Sequence, residues 1–332
     1  MHISPESALL GGLSSQAFMR RHWQKKPLLI RAACRGVATV VTRQQLFELA
    51  SREEVESRLV VHDDKQRWRL RHGPFGRRAL PSLTQRQWTL LVQGVDLHVD
   101  AACELMQRFR FVPDARLDDL MVSYATDGGG VGPHFDSYDV FLLQLQGRRR
   151  WRIGRLRDTE LEPDVPLRIL TNFVAEHEWL LEPGDMLYLP PRWAHDGIAQ
   201  GESMTGSIGF RAERRQALAS ALLQRLLDEE QLPAEDRLYR DPSQAATATP
   251  AQIPAPLQAF AAQAIAAKLA DPRQLACALG EILSEVKPQV VFDAPTGAQA
   301  DTGMRLDRRT RMLYDRWHVF VNGESFRASG RD

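Results

Sequence analysis

MVSYA (residues 121–125), DGGGVGP (127–133), YDVFLLQL (138–145) and RRWRI (149–153) follow one another in a single stretch, and together they decide the fold class. MVSYA reads as a strand. RRWRI alternates with the period of two that places successive side chains on opposite faces of a sheet. YDVFLLQL is a continuous aromatic and aliphatic run, as expected of a strand covered on both faces. A glycine-dense loop separates the first two strands, and QGR (146–148) reads as a turn before the last. Downstream, HEWLLEPGDMLYLPP (177–191) reads as a hairpin turning at Pro183-Gly184-Asp185, and SMTGSIGFR (203–211) as a final strand. So many short strands, punctuated by Gly and Pro, predict a closed or sandwiched antiparallel sheet.

Outward from that stretch the pattern becomes helical. Toward the start, Ser14–Trp23 fits a helix that Lys25-Lys26-Pro27 stops, and Leu28–Ile30 fits a buried strand. Thr42 is placed to cap a helix through Ala50, and two more helices are expected over Thr84–Val92 and Val99–Phe109. Toward the end, Arg214–Asp228 sets Leu218, Leu222 and Leu226 at four-residue spacing. A Pro- and Ala-rich stretch at 229–256 reads as a linker. Helices are expected over Leu257–Leu269 and Pro272–Leu283. These helices fit subunit contact or packing on their own sheet equally well. The chain stops at ESFRASGRD, just after an expected hairpin around Asn322-Gly323.

The chain has 332 residues, 43% of them hydrophobic and 26% charged, which is a globular composition of about two domains. Its 43 basic and 42 acidic residues balance to +1, so a polycation is excluded while a local basic patch is not. No apolar run approaches the length of a membrane span, and the start lacks the order of a signal peptide, so the expected compartment is the cytoplasm. Cys34, Cys103 and Cys277 are too scattered for a disulfide framework or a cysteine zinc site.

Three His-x-Asp pairs raise the question of a metal: His62-Asp63-Asp64, His98-Val99-Asp100 and His134-Phe135-Asp136. On a strand, residues two apart share a face, so each pair can offer one nitrogen and one oxygen to one ion. His62 lies at an expected hairpin end, and Asp100 reads as a helix cap. His134 differs, because it follows the glycine loop and precedes the most hydrophobic strand, where Asp136 needs a cation. The third ligand is expected from His195, presented by the double-proline turn of PGDMLYLPPRWAHDG (183–197). His177 is the weaker rival, lying among acids. Two histidines and one carboxylate with open positions suit non-haem Fe(II), with zinc as the alternative. Oxygenases of this type take electrons from 2-oxoglutarate, whose far carboxylate needs a buried cation. Arg149 shares parity with Trp151 and Ile153 and is expected to point inward, while Arg148, Arg150 and Arg152 face outward. Ser123 is a second candidate for that carboxylate. Tyr138 and Trp193 fit a substrate entrance or rim packing equally well.

GGGVGPHFDSYDVFLLQLQGRRRW (128–151), PGDMLYLPPRWAHDG, SIGFR (207–211) and the opening FMRRHWQKKPLLIRAA (18–33) resemble the cupin-fold, JmjC-type ribosomal oxygenases, in that family's motif order. The resemblance implies a mainly β double-stranded β-helix with flanking helices over 1–210. It also implies a helical dimerisation region over 211–272 and a winged-helix-like region over 273–332, the last expected to be shortened. It implies Fe(II) at His134, Asp136 and His195, and 2-oxoglutarate bound by Arg149 and Ser123. The implied reaction is hydroxylation of an arginine β-carbon (C3) on protein sixteen of the large ribosomal subunit, by a homodimer with no membrane attachment. Ala125 departs from the pattern, since a second hydroxyl is expected there. Two other readings compete. One is a metal-dependent cupin dioxygenase or isomerase of a small molecule, which would need no inward arginine. The other is a non-enzymatic ribosome-binding module touching ribosomal RNA through Arg305, Arg308, Arg309, Arg311, Arg316 and Arg327, although Asp307 and Asp315 interrupt that cluster.

Overall fold

A computed structural model describes residues 9–63, 67–228, 238–292 and 306–327. The chain divides into two compact units, Met1–Ala212 with Gln289–Arg309, and Glu213–Pro288 with Thr310–Asp332.

The first unit is mainly β, as the strand pattern predicts. Its ten-stranded sheet runs β1 (Leu28–Ile30), β9 (Met186–Leu189), β7 (Val140–Arg155), β10 (Trp193–Phe210), β5 (Leu117–Ala125), β4 (Trp88–Val92), β2 (Ser57–His62) and β3 (Trp68–His72). β6 (His134–Phe135) is added on β10 and β8 (His177–Leu181) on β7. Every pairing is antiparallel. β7 and β10 are long and shared. Val140–Leu143 pairs with β9, whereas Arg149–Ile153 pairs with β8. β10 likewise meets β7 along both halves, with register breaks between Gln200 and Thr205.

Two expectations are corrected here. QGR does not end a strand. β7 continues through it and bends at Gly147, whose φ is +62° and where a Cβ would lie 1.9 Å from the Glu202 carbonyl oxygen. HEWLLEPGDMLYLPP does not form a self-paired hairpin either, because β8 and β9 each pair with a different half of β7. A third correction concerns Thr84–Val92, where the structure has β4 rather than a helix. Trp88, Leu90 and Val92 are buried in the core, and β2 and β5 flank the strand on both edges. Sheet pairing on two sides overrides the helical spacing.

Short helices flank the sheet where expected: α1 (Ser15–Arg21) behind the Ser14 cap, α2 (Arg43–Leu49) and α3 (Asp100–Gln107). The Thr42 hydroxyl and the Gln45 side chain form a reciprocal capping box at the start of α2. Val99, not Asp100, is the N-cap of α3. Asp100 occupies its first turn and pairs with Arg308. The main core gathers Phe18, Trp23, Phe109, Phe141, Tyr188 and Phe210 on one face of β7 and β9. A smaller cluster of Val140, Leu142, Trp151, Ile153, Leu181, Leu187 and Leu189 lies on the opposite face of these strands.

The second unit contains α4 (Arg215–Asp228), α5 (Ala255–Lys268), α6 (Pro272–Ser284) and a three-stranded sheet, β11 (Met312–Tyr314), β12 (His318–Val321) and β13 (Glu324–Arg327). Arg225 on α4 pairs with Glu281 on α6 and with Glu285, and Phe320 on β12 sits against Gly280 of α6. α4 and α6 therefore share one unit, on either side of the expected division at 272/273. Of the expected linker, 229–237 lies outside the described residues, and 238–254 has no helix or strand. Asn322 and Gly323 both adopt positive φ at the β12–β13 turn, the hairpin chemistry that the sequence suggests. Asp64, Arg305 and the final residues 328–332 lie outside the described residues.

Candidate metal centre

The register of β6 on β10 sets the first contact, because His195 is the direct cross-strand partner of His134. Their ring centroids are 4.2 Å apart. Asp136 follows β6 by one residue, and its Oδ2 lies 3.6 Å from His195 Nε2. That separation is too long for a hydrogen bond and suits two donors around one ion at about 2.1 Å from each. One candidate ligand atom from each of the three residues lies within 4.8 Å of the others. Among the described residues this is the group of His, Cys, Asp or Glu side chains with metal-binding spacing.

Both imidazoles are oriented by the backbone. His134 Nδ1 is 2.9 Å from the Gly132 carbonyl and His195 Nδ1 is 3.0 Å from the Trp193 carbonyl. A carbonyl only accepts, so each Nδ1–H donates and each Nε2 lone pair is left for an ion. Burial first, and then the neighbouring His134, hold His195 well below the usual imidazole value. Its ring is therefore neutral at physiological pH.

Along β10, His195, Gly197 and Ala199 share a face and pair with Ile153, Trp151 and Arg149 on β7. The Trp151 indole fills the space above Gly197, where a Cβ would come within 2.6 Å of its ring. Arg149 is 4% exposed, as its parity with Trp151 and Ile153 predicts, while Arg148 is exposed and Arg150 and Arg152 are half-buried. Arg149 Nη1 donates to Ser123 Oγ at 3.2 Å. Among the described residues its Nε and Nη2 are buried with no hydrogen-bond partner. Burial pushes the guanidinium down to about 10, against a smaller opposing pull from Asp196. The Asp196 carboxylate is itself engaged by Arg152. The Arg149 guanidinium thus keeps two buried nitrogens that can donate to an anion.

The other candidates lie elsewhere. His62 stacks on Trp68 with centroids 4.1 Å apart, and Asp63 closes the β2–β3 turn on Arg67. His98 is half-buried beside α3, and exposed His177 stacks on Trp179. Tyr138 is 41% exposed, yet burial of its hydroxyl end and the Asp136 carboxylate push the phenol up, which places it at the rim. Trp193 packs on the smaller core cluster beneath the Arg155 guanidinium. The carbonyls of Gly132 and Trp193 are the contributors that sequence reasoning missed. No side-chain signal could have found them, since every residue carries a carbonyl.

The JmjC domain family matches residues 104–218. The chain is 40% identical over 237 residues to the ribosomal protein uL16 3-hydroxylase of Escherichia coli, covering 71% of this chain and 62% of that protein. It is 37% identical over 213 residues to a probable ribosomal oxygenase of Haemophilus influenzae, covering 63% and 50%. The matched segment thus spans less than two thirds of these curated relatives. Among solved structures, YcfD, a ribosomal oxygenase from Escherichia coli in complex with cobalt and 2-oxoglutarate, aligns with a TM-score of 0.79 at 32% identity, covering 96% of this chain and 87% of that one.

Proposed function

This chain belongs to the JmjC-domain ribosomal oxygenase family, and from that premise we propose that it is an Fe(II)- and 2-oxoglutarate-dependent protein hydroxylase acting on an arginine of ribosomal protein uL16. The observation that carries the reading is the combination, on one sheet face, of three convergent ligand side chains with a buried, under-bonded arginine.

In this reading His134, Asp136 and His195 hold Fe(II) through two Nε2 atoms and a carboxylate oxygen. Arg149 takes the far carboxylate of 2-oxoglutarate, and Ser123 fixes the fork of that guanidinium. Arg149 sits four residues along the strand from the position opposite His195, about 13 Å of rise. A long side chain and a five-carbon dicarboxylate together fill that gap. With Fe(II) and 2-oxoglutarate bound, dioxygen would be the oxidant and 2-oxoglutarate the two-electron donor, so that one oxygen atom goes to the substrate carbon and the other into succinate, with carbon dioxide released. The chain's own part is to bind and orient. The two backbone carbonyls fix the imidazole tautomers, Trp151 walls the site over Gly197, and Tyr138 stands at the rim where a substrate side chain enters. The burial of Arg149 argues against a small-molecule cupin, which needs no inward cation.

The same reading takes the reaction to be cytoplasmic and the protein to be a homodimer. The apolar α5, with Leu257, Ile265 and Leu269 exposed, is the proposed contact within 211–272. The region 273–332 is assigned a winged-helix-like role.

Intact-mass analysis of ribosomal proteins from cells with and without this protein tests the reaction. A gain of one oxygen on uL16 is expected. Iron-loaded protein that converts no 2-oxoglutarate to succinate with any ribosomal substrate would sink the proposal.

A further inference from the structure

We propose that the segment 67–95 forms an RNA-binding edge beside the metal centre. It reads RWRLRHGPFGRRALPSLTQRQWTLLVQGV and holds six arginines and a histidine with no Asp, Glu or Lys. In a chain whose total charge is +1, that is a strong local excess.

The structure keeps these charges on the surface. β3 is the outermost strand of its sheet, paired only with β2. Arg67, Arg69, Arg71, Arg77, Arg78 and Arg86 are all exposed. Arg67 and Arg69 share the single carboxylate of Asp63, and Arg86 meets Asp127. Among the described residues no carboxylate pairs with Arg71, Arg77 or Arg78. Exposed ion pairs of this kind are weak and easily exchanged for a better anion.

The edge borders the site. Trp68, stacked on His62, lies against the glycine loop. A Cβ on Gly132 would be 3.3 Å from the Trp68 ring, and the Gly132 carbonyl orients His134. Arg86, through Asp127, touches the start of the same loop.

Charge alone would admit an acidic protein, but three features favour RNA. All six cations are arginines, whose planar fork matches a phosphate. The half-exposed Trp68–His62 pair is a flat platform on which a base can stack. A protein substrate that is itself packed into RNA is basic and would be repelled by this edge, whereas the RNA that accompanies it would be drawn in. Naming ribosomal RNA rests on the proposed uL16 substrate, but the binding needs neither metal nor 2-oxoglutarate.

The C-terminal arginines are less suited to this task. Arg308 pairs with Asp100, and Arg309 with Asp307. Arg316 lies over the Trp317 ring.

The test is fluorescence anisotropy of the full chain with a short, labelled single strand of large-subunit ribosomal RNA across a salt series. The triple variant R69Q/R77Q/R78Q should bind about tenfold more weakly, with its log–log salt slope reduced by roughly 2, at about 0.7 per lost phosphate contact. R20Q/R21Q, removing two equally exposed arginines on α1, should bind as the parent does. Melting curves should match in all three. Unchanged affinity in the triple variant, or an equal loss in R20Q/R21Q, overturns the proposal. So does tighter binding of poly-glutamate than of RNA, which would make the edge a dock for acidic protein. Succinate formation with a free uL16 peptide, measured separately, reports on the hydroxylase reading, so the two can fail independently.

Discussion

The buried guanidinium of Arg149 is a costly residue to keep. With one hydrogen bond to Ser123 and, among the described residues, two nitrogens without a hydrogen-bond partner, it carries a desolvation cost that no paired carboxylate offsets. Replacing such a group by an apolar side chain of similar volume is often stabilising by about 1–4 kcal/mol. Arg149→Met is therefore expected to raise the stability of the unliganded protein in denaturant titrations. The same substitution should remove the thermal stabilisation that 2-oxoglutarate confers on the parent. Arg149→Lys keeps the charge but loses the fork. It should weaken 2-oxoglutarate binding by about 10- to 100-fold, as calorimetry with a redox-inert divalent metal would measure. A variant that binds as tightly as the parent would place the co-substrate elsewhere.

At the scale of elements, two devices hold the long strands in position. One is the bend of β7 at Gly147. A side chain there meets both a positive φ and the Glu202 carbonyl, so Gly147→Ala is expected to cost about 3 kcal/mol or more and to lower the denaturant midpoint sharply. The other is Asp185, in the turn between β8 and β9. Burial works to raise its pKa, but the N–H groups of Ala32 and Glu182 and the Arg31 guanidinium outweigh it, and the carboxyl ends below its usual value. The unfolded chain thus holds this proton more tightly than the folded one. Asp185 stabilises the fold above the ordinary aspartate pKa near 4, and that contribution is lost as pH falls through the lower folded value. Asp185→Asn should cost about 1–3 kcal/mol at pH 7, and the gap to the parent should close progressively below about pH 4 in melting experiments. A gap that stays constant down to pH 2 would refute the linkage.

For the whole molecule, the two compact units predict how ligand binding spreads. A ligand that binds only the folded state stabilises it by mass action, about 2.7 kcal/mol at a hundredfold excess over Kd. Divalent metal with 2-oxoglutarate should slow amide hydrogen exchange in β6, β7 and β10. Exchange in β11–β13, which belong to the second unit, should stay as it was. Equal protection of both units would mean that they unfold as one.

The sequence alone determined much of this, because some interactions are local. Thr42 and Gln45 satisfy the first amides of α2 within one turn, and Asn322-Gly323 can hardly do other than turn a hairpin. Period-two parity told Arg149 from its neighbours in GRRRW, since a strand has only two faces and one of them was apolar. His134 and Asp136 shared a face for the same reason. Only the tertiary structure decided the rest. Trp88–Val92 became a strand because β2 and β5 offer hydrogen bonds on both its edges, an option invisible in its own residues. β7 crossed its apparent turn because β8, β9 and β10 pair with it on both sides of Gly147. His195 met His134 through a register fixed about sixty positions away in the chain, and the two carbonyls that orient these rings have no side-chain signature. Contacts within a turn or a strand are written in the residues that make them. Contacts between strands depend on which edges are left unpaired, and that is a property of the assembled sheet.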